Sequence, residues 1–305
     1  MQSDRYKLEN FKTMGKMFYS KRELERALEM YEKAYAMQNG KSDGELLIDM
    51  ALLYDEMEDV KNAEAKYKEV IKLNHNDARA YYGLGIIYDE RKDYKKAVEY
   101  YEKAIELNPN YNKAYFFAAN AYIDLENYGK AEKYFKKVLE LDEDDFWSYI
   151  NLGSMYEEQN CYIKAYKMFK EALRVDPYDY IALFNMAVVC RKISNEEEAK
   201  KYYRMSINEN NKYPYSYLNL SIIYKENEEY VKAVEIISSG IKSNPEEGFL
   251  YYNRACFYVY IGKFDEAVND LKIAVKNYSG FKKCIKEDDE LLILKDHPGY
   301  DEIFD

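Results

Sequence analysis

Four asparagines recur at an interval of 34 residues in the second half of the sequence. They are Asn151, Asn185, Asn219 and Asn253, and each stands among apolar residues, as in YINLG around Asn151. A side-chain amide carries both hydrogen-bond donors and an acceptor, so a row of amides suits the C=O and N–H groups of an extended peptide. The recurrence predicts either a row that binds a peptide backbone or polar positions that bond only neighbouring side chains and water.

Side chains suited to catalysis or to metal binding are few. The sequence contains the cysteines Cys161, Cys190, Cys256 and Cys284 and the histidines His75 and His297. The cysteines are widely separated, and none forms the close pair typical of metal sites and redox motifs. Two histidines are too few for a histidine-based metal site or a histidine-assisted nucleophile. We therefore expect reduced structural cysteines, no cofactor, no metal and no enzymatic activity.

The charge balance limits the classes of partner. The 305 residues include 45 basic and 56 acidic side chains, which gives a net charge of −11. Phosphate backbones and anionic membranes attract basic surfaces, so we expect neither nucleic acid nor a membrane as a partner. No apolar stretch is as long as a membrane span, and MQSDRYKLENF lacks the apolar run of a signal peptide. A cytoplasmic protein is the expectation.

The interval of 34 residues extends through most of the chain. Eight repeats align when they start at residues 8, 44, 78, 112, 146, 180, 214 and 248, with two extra residues near Gly40. The twentieth place of every repeat is alanine, from Ala27 to Ala267, and the eighth place is always small, as in Gly85. Small residues at both places allow two helix backbones to approach closely.

Each repeat is predicted to be a helical hairpin. In repeat three the apolar residues Tyr81, Leu84 and Tyr88 follow helical spacing, and a short polar turn precedes the second helix. Prolines such as Pro109 stand where a second helix must end. We therefore predict tandem hairpins over residues 8–281, preceded by a short N-terminal extension at residues 1–7.

The C-terminal segment departs from the repeat. Residues 282–305 nevertheless carry apolar side chains, including Leu291, Leu294 and Ile303. The last hairpin of a repeat array exposes an apolar flank, which a terminal element must cover. We expect residues 282–305 to form capping helices, and the alternative is a segment that binds a partner.

The pattern resembles that of tetratricopeptide repeat proteins, with a C-terminal cap as in bacterial-type solenoids. Repeat three, ARAYYGLGIIYDERKDYKKAVEYYEKAIELNPN, has the family's aromatic, Leu-Gly, Tyr, Ala and Pro residues at the family's offsets. The resemblance implies an all-α fold, a right-handed superhelical solenoid of helix-turn-helix repeats whose first helices line a concave groove. The sequence departs from the family at Cys190, where Tyr is usual, at Arg254, where Leu is usual, and at Glu143, where Pro is usual. Arg254 conflicts with the expected packing of the last repeat.

The resemblance also implies a function in protein-protein interaction. Proteins of this family are mostly scaffolds or adaptors that hold a peptide or a partner segment in the concave groove. The alternative is a peptide-sensing signalling receptor that acts through a separate effector protein. Some co-chaperones of the family grip a C-terminal carboxylate with Lys, Asn and Arg, but here Asp49 stands where Asn is required after Lys12 and Lys16. We therefore disfavour a receptor for chaperone tails.

Helical geometry assigns the repeating asparagines to the face opposite the core. At about 100° per residue, places 4, 7, 8 and 11 of a first helix face the core, and places 2, 5, 6, 9 and 13 face away. The outward places of a surface helix are normally polar, but here many are apolar. The predicted groove consists of Asn120, Asn151, Asn185, Asn219, Asn253, Phe116, Trp147, Ile150, Ile181, Phe184, Val188, Tyr215, Leu218, Ile222, Phe249 and Tyr252. An exposed apolar row indicates a binding surface, and the alternative is packing between neighbouring first helices.

Charged residues near the ends of the first helices change sign along the chain. The predicted lip of the groove consists of Asp89, Glu90, Asp124, Glu157, Glu158, Arg191 and Lys192. A gradient from acidic to basic residues would orient a bound segment. The alternative is that these residues are only the solvated start of each turn.

Overall fold

A computed structural model describes the chain from residue 2 to residue 304, and within that range every regular element is helical. The α-helices are α1 Gln2–Ser20, α2 Leu24–Tyr35, α3 Gly44–Glu56, α4 Val60–Leu73, α5 Ala78–Glu90, α6 Tyr94–Leu107, α7 Asn112–Asp124, α8 Tyr128–Leu141, α9 Phe146–Glu158, α10 Tyr162–Val175, α11 Tyr180–Lys192, α12 Glu196–Glu209, α13 Pro214–Glu226, α14 Tyr230–Ser243, α15 Gly248–Tyr260, α16 Phe264–Asn277 and α17 Phe281–Glu287. The expected all-α class is confirmed.

The helices up to α16 alternate as the first and second helices of hairpins. From α3 to α15, each first helix begins at the residue where a repeat starts, for example α5 at Ala78 and α13 at Pro214. The N-terminus differs from the expectation, because α1 begins at Gln2 and includes the residues expected to form an extension. No helix breaker separates these residues from the repeat, and Leu8 within α1 is buried in the core.

Each hairpin turn contains one residue in the left-handed region of backbone space. In repeats two and three these are Glu58 and Lys92, both with φ of 59°, and in the last repeat it is Gly262, with φ of 72°. In repeats two, three and four the next residue caps the second helix, as Asp93 does by accepting a hydrogen bond from the backbone N–H of Lys96 at 3.4 Å. The regular turns explain why the repeats keep one length.

Small residues allow the two helices of a hairpin to approach closely. The alanines at the twentieth place, from Ala27 to Ala267, are all fully buried. At the eighth place, a Cβ added to Gly85 would lie 2.4 Å from the ring of Tyr101, and one added to Gly153 would lie 2.6 Å from the ring of Phe169. The aromatic rings of the second helices thus occupy the space that small residues leave on the first helices.

The helices form two compact bodies, which we call the N-terminal body, up to Ser148, and the C-terminal body, from Tyr149. In the N-terminal body, residues such as Leu46, Tyr67 and Leu84 form one continuous apolar core. In the C-terminal body, Met186, Tyr203 and Phe257 are among the fully buried side chains. Within each body, successive hairpins pack against one another in chain order.

Arg254 does not disturb the last repeat, because the second helix of that repeat supplies its partner. The guanidinium donates to the two carboxylate oxygens of Asp270 at 2.7 and 2.8 Å and to the hydroxyl of Ser238 at 2.9 Å. Asp270 is only 4% exposed. A buried ion pair therefore stands where the family usually has an apolar contact.

The segment after repeat eight packs against α15 and α16. It consists of the short helix α17, a 3-10 helix at Asp289–Asp296 and a 3-10 turn at Asp301–Ile303. Leu291 and Leu294 are fully buried, and Ile303 is almost so. The segment was expected to contain capping helices, but only α17 is an α-helix. The sequence DHPGYD, with Pro and Gly close together, does not favour a longer α-helix.

Across residues 2–304, we find no helix with the length and apolar character needed to cross a bilayer.

Candidate functional site

The predicted groove residues are distributed over both bodies. Phe116, Asn120 and Trp147 belong to the N-terminal body, and the others belong to the C-terminal body. Trp147 is 53% exposed, and together with Phe116 and Lys113 it lines a shallow hollow of about 150 Å³. Ile150, by contrast, is almost completely buried, so its side chain packs within the protein.

The four repeating asparagines differ in their hydrogen bonds. Asn253 donates from Nδ2 to the backbone oxygen of Phe249, one helical turn earlier, at 2.7 Å. Asn151, like Asn120, interacts within the protein. Asn185 on α11 and Asn219 on α13 are half-buried, and in the described part of the chain no protein group hydrogen-bonds their amides. Asn185 and Asn219 are therefore the two asparagines of the row whose amide donors and acceptors have no protein partner within residues 2–304.

An aromatic row runs beside these two asparagines. Tyr215 is 49% exposed, and its ring stacks on that of Phe249 with centroids 5.4 Å apart and planes at 12°. The ring of Tyr213 contacts the rings of Tyr180, Phe184 and Tyr215 at 5.2, 5.2 and 5.4 Å. Phe184 is thus partly covered by packing between first helices, whereas Tyr215 keeps an open surface.

The sequence analysis missed two residues of this row, Tyr180 and Tyr213. Tyr180 is the first residue of α11, and Tyr213 is the residue just before α13. Both lie outside the places that helical geometry assigns to the outward face. Tyr111 stands at the place in repeat three that Tyr213 holds in repeat six, and it also contacts an aromatic ring, that of Tyr82 at 5.0 Å. The recurrence of tyrosine at this place was the available signal.

The C-terminal segment covers the last part of the predicted groove. The ring of Tyr252 stacks on Phe281 at 5.3 Å, and its hydroxyl donates to the carboxylate of Asp288. Burial raises the pKa of Tyr252, so the hydroxyl stays protonated and acts as a donor. Glu290 of the same segment accepts from Lys225 at 2.5 Å. Other residues of the chain therefore cover the side chain of Tyr252, which is not open to a ligand.

The residues of the predicted lip are not equally available. Asp89 accepts from the hydroxyl of Tyr101 at 3.0 Å, and burial raises the pKa of its carboxyl group. Burial also raises the pKa of the Glu90 carboxyl. Arg191 donates to Glu226. Lys192, in contrast, is exposed, and its ammonium group lies 6.0 Å from the ring of Tyr162. Of the basic members of the lip, Lys192 is the one open to a bound segment.

The cations of repeat one have acidic partners. Lys12 donates to Asp43 at 2.6 Å, and Lys16 lies 3.1 Å from the carboxylate of Asp49. The Asp49 carboxylate therefore already pairs with the Lys16 ammonium group, which a bound peptide carboxylate would otherwise need as its partner. These contacts agree with the argument against a receptor for chaperone tails.

The cysteines and histidines do not converge on one site. All four cysteines are free thiols, and burial raises the pKa of Cys190 to about 11. A thiol with that pKa is protonated at neutral pH and is a poor nucleophile. His75 contacts the backbone oxygen of Ile71, and His297 contacts Asp265 at 3.0 Å. Over residues 2–304, no group of three or more His, Cys, Asp and Glu side chains is arranged to hold a metal ion.

Comparison with family models supports the repeat assignment. Tetratricopeptide repeat models match residues 78–111, 113–145, 148–179 and 250–278. The chain contains tetratricopeptide repeats. A Sel1 repeat model matches residues 14–39, 182–211 and 237–256. No curated protein matches the sequence.

Solved tetratricopeptide structures share the fold of this protein. The C-terminal part of a repeat protein from Cytophaga hutchinsonii is 18% identical, with a TM-score of 0.66 over 76% of this chain and 94% of that one. PilF of Pseudomonas aeruginosa is 21% identical, with a TM-score of 0.56 over 69% and 97%. YrrB, described as having an unusual peptide-binding site, is 24% identical, with a TM-score of 0.53 over 61% and 95%. Identities this low indicate a shared fold, and the tetratricopeptide repeat fold implies a scaffold for protein-protein interactions.

Proposed function

We propose that this tetratricopeptide repeat protein is an interaction scaffold that binds a peptide or a partner segment along the first helices α11 and α13 of its C-terminal body. The observation that carries the proposal is the pair Asn185 and Asn219, whose half-buried amides lack protein partners in the described part of the chain. Neither amide is among the buried groups without a partner, so water hydrates both in the free protein and a bound segment can replace that water. A peptide backbone would supply the acceptors and donors that these amides need.

The spacing of the two asparagines suits an extended segment. Neighbouring packed helices lie about 8–10 Å apart, and an extended chain advances about 3.3 Å per residue. Asn185 and Asn219, at the same place in successive repeats, would therefore meet a bound peptide about every third residue. The amides would hold its backbone and leave its side chains to other contacts.

Apolar side chains beside the asparagines provide those other contacts. Tyr215 offers about half of its surface, and Leu218 and Ile222 are half-buried on the same helix. An aromatic anchor at an interface often contributes about 2 kcal/mol or more to binding. YrrB, with its peptide-binding site, is a precedent for this use of the fold.

Charge and cysteine content favour a protein partner in a reducing compartment. The net charge of −11 opposes binding to nucleic acid, which requires basic surfaces. Four unpaired cysteines suit the cytoplasm, where thiols stay reduced. We propose Lys192, at the lip, as the cation that sets the direction of the bound segment.

Peptide selection on the purified chain tests the groove. Peptides from a displayed library of short random sequences are selected on the wild-type protein, and their affinities are measured by fluorescence anisotropy. The double change Asn185→Ala and Asn219→Ala should weaken binding by about 1 to 3 kcal/mol, because each lost hydrogen bond contributes roughly 0.5 to 1.5 kcal/mol. Tyr215→Ala should weaken it by about 2 kcal/mol.

Asn269→Ala on α16 is the matched control, since Asn269 is an exposed helical asparagine outside the groove. It should leave affinity unchanged. Thermal unfolding of the asparagine variants should match the wild type. Unchanged binding by the double variant, or a loss of stability that parallels the loss of binding, would show that the asparagine row is structural.

A further inference from the structure

A second cavity lies on the opposite side of the hairpins, between the second helices α12 and α14, which both pack against α13. Its volume is about 460 Å³. Tyr224 and Leu220 of α13 form its floor, Arg204 and Ile207 line one wall, and Lys232 and Ile236 line the other. It shares no residue with the groove of the first helices.

Three cations surround the ring of Tyr224. The ammonium groups of Lys200 and Lys232 lie 5.2 and 5.7 Å from the ring centroid, and the guanidinium carbon of Arg204 lies 6.0 Å from it. Arg204 also donates to the hydroxyl of Tyr224. Lys200 is only 8% exposed, which is unusual for lysine. The part of the cavity beside Tyr224 is therefore cationic, although Glu235 also lines the cavity.

The equivalent site of repeat four, which also includes α6 of repeat three, contains a carboxylate. Glu102 stands at the place of Arg204, and its Oε1 accepts from the hydroxyls of Tyr122 and Tyr134 at 2.6 and 2.9 Å and from Lys130 at 3.1 Å. Tyr122 and Lys130 correspond to Tyr224 and Lys232. The glutamate therefore neutralises the lysine and satisfies the tyrosine from within the chain.

The site of repeat seven, which includes α12 of repeat six, lacks this internal carboxylate. Arg204 replaces the glutamate, and Ile236 stands where repeat four has Tyr134. Lys200 and Lys232 do have acidic neighbours. Lys200 lies 2.5 Å from Glu196 on its own helix, and Lys232 pairs with Glu229, the residue just before its helix. Pairs at three- or four-residue spacing within one helix are weak, so they do not take the place of the glutamate that repeat four has beside its tyrosine.

Of the three cations around Tyr224, Arg204 has no carboxylate partner within residues 2–304. Glu235 lies at the rim of the cavity, yet no ion pair within residues 2–304 joins it to Arg204. A guanidinium prefers bidentate contact with a carboxylate. Aliphatic side chains, Ile207 and Ile236, stand beside it.

We propose that this cavity is a docking site for a second protein segment, which inserts a glutamate side chain flanked by an aliphatic residue. The glutamate takes the position that repeat four fills from within, between the Arg204 guanidinium and the Tyr224 hydroxyl. The aliphatic residue packs against Ile207 and Ile236. The site is independent of the groove on the first helices, so one scaffold molecule can hold two segments on opposite faces.

The test uses the same displayed library of short random peptides, selected on the full chain and then depleted on an Arg204→Gln variant. The retained peptides should share a glutamate next to Leu, Ile or Val. Arg204→Gln, and a glutamine in place of the peptide glutamate, should each reduce affinity about tenfold or more. Asn185→Ala with Asn219→Ala should leave the affinity of these peptides unchanged.

A second variant keeps the test valid if Arg204→Gln folds poorly. The double change Arg204→Glu and Ile236→Tyr rebuilds the arrangement of repeat four, in which the introduced carboxylate accepts from Tyr224 and Lys232. It should unfold at the wild-type temperature or above and should not bind the peptides. The proposal is overturned if no peptide depends on Arg204, if the selected peptides lack an acidic residue, if the rebuilt variant still binds them, or if the groove variant loses them.

Discussion

Replacement of Arg254 by leucine tests how the last repeat tolerates a charged residue in its core. The family usually has Leu at this place, so a purely local view predicts a gain in stability. In the structure, Arg254 contacts both carboxylate oxygens of Asp270, at 2.7 and 2.8 Å, and Asp270 is 4% exposed. Arg254→Leu therefore leaves a buried carboxylate without its partner. Removal of one member of a buried pair typically costs about 3 to 5 kcal/mol, and we expect a loss of that size at neutral pH.

The sign of the pH dependence follows from Asp270. Burial raises the pKa of its carboxyl, and the hydrogen bond and charge of Arg254 oppose that rise. Without Arg254 the pKa rises further above its value in the unfolded chain. A group with a raised folded pKa contributes stability at low pH that is lost as the pH rises from its unfolded pKa through its folded pKa. The deficit of the variant should accordingly be small near pH 4, close to the ordinary carboxyl pKa, and largest at neutral pH.

Hydrogen exchange measured by mass spectrometry is the appropriate assay, since a repeat protein opens locally and its overall unfolding is not a single transition. The amides of α15 and α16 should lose protection in Arg254→Leu, and those of α3 and α4 should not change. Arg254→Leu combined with Asp270→Leu removes both charges and should recover most of the loss. Equal protection of Arg254→Leu and wild type at neutral pH, or a deficit independent of pH, would refute the reasoning.

Two further predictions concern the packing of the C-terminal body. Ala165 is fully buried at the twentieth place of repeat five, so Ala165→Leu should cost about 1 to 3 kcal/mol by overpacking; a urea titration with no loss would show that the repeat register is wrong. Deletion of residues 282–305 removes the partners of Tyr252 and Lys225 and uncovers the end of the last hairpin. It should therefore speed hydrogen exchange in α15 and α16 and promote self-association, and unchanged exchange with unchanged mass in solution would contradict a capping role.

The repeating architecture was predictable because it depends on local patterns. Helical spacing, polar turns and the alanine at the twentieth place of each repeat depend only on residues within one hairpin. The first helices from α3 to α15 begin where the predicted repeats begin. The sequence analysis separates residues 1–7 from the first repeat as an extension, whereas α1 already begins at Gln2. Periodic signals locate repeats well, but they do not show where a terminal helix begins.

The proposed binding surfaces combine side chains from several helices, and the sequence alone did not determine that combination. Equivalent asparagines look alike in the sequence, yet Asn253 bonds its own helix and Asn185 does not. Tyr252 belongs to the apolar row by spacing, but the aperiodic C-terminal segment covers it with Phe281 and Asp288. The cavity beside Tyr224 forms only where α12, α13 and α14 pack together. The lack of a carboxylate beside Tyr224 is therefore visible only in the tertiary structure. The repeat pattern thus determined the hairpins, because their contacts are short in sequence, whereas tertiary packing decided which polar and aromatic groups remain open to a partner.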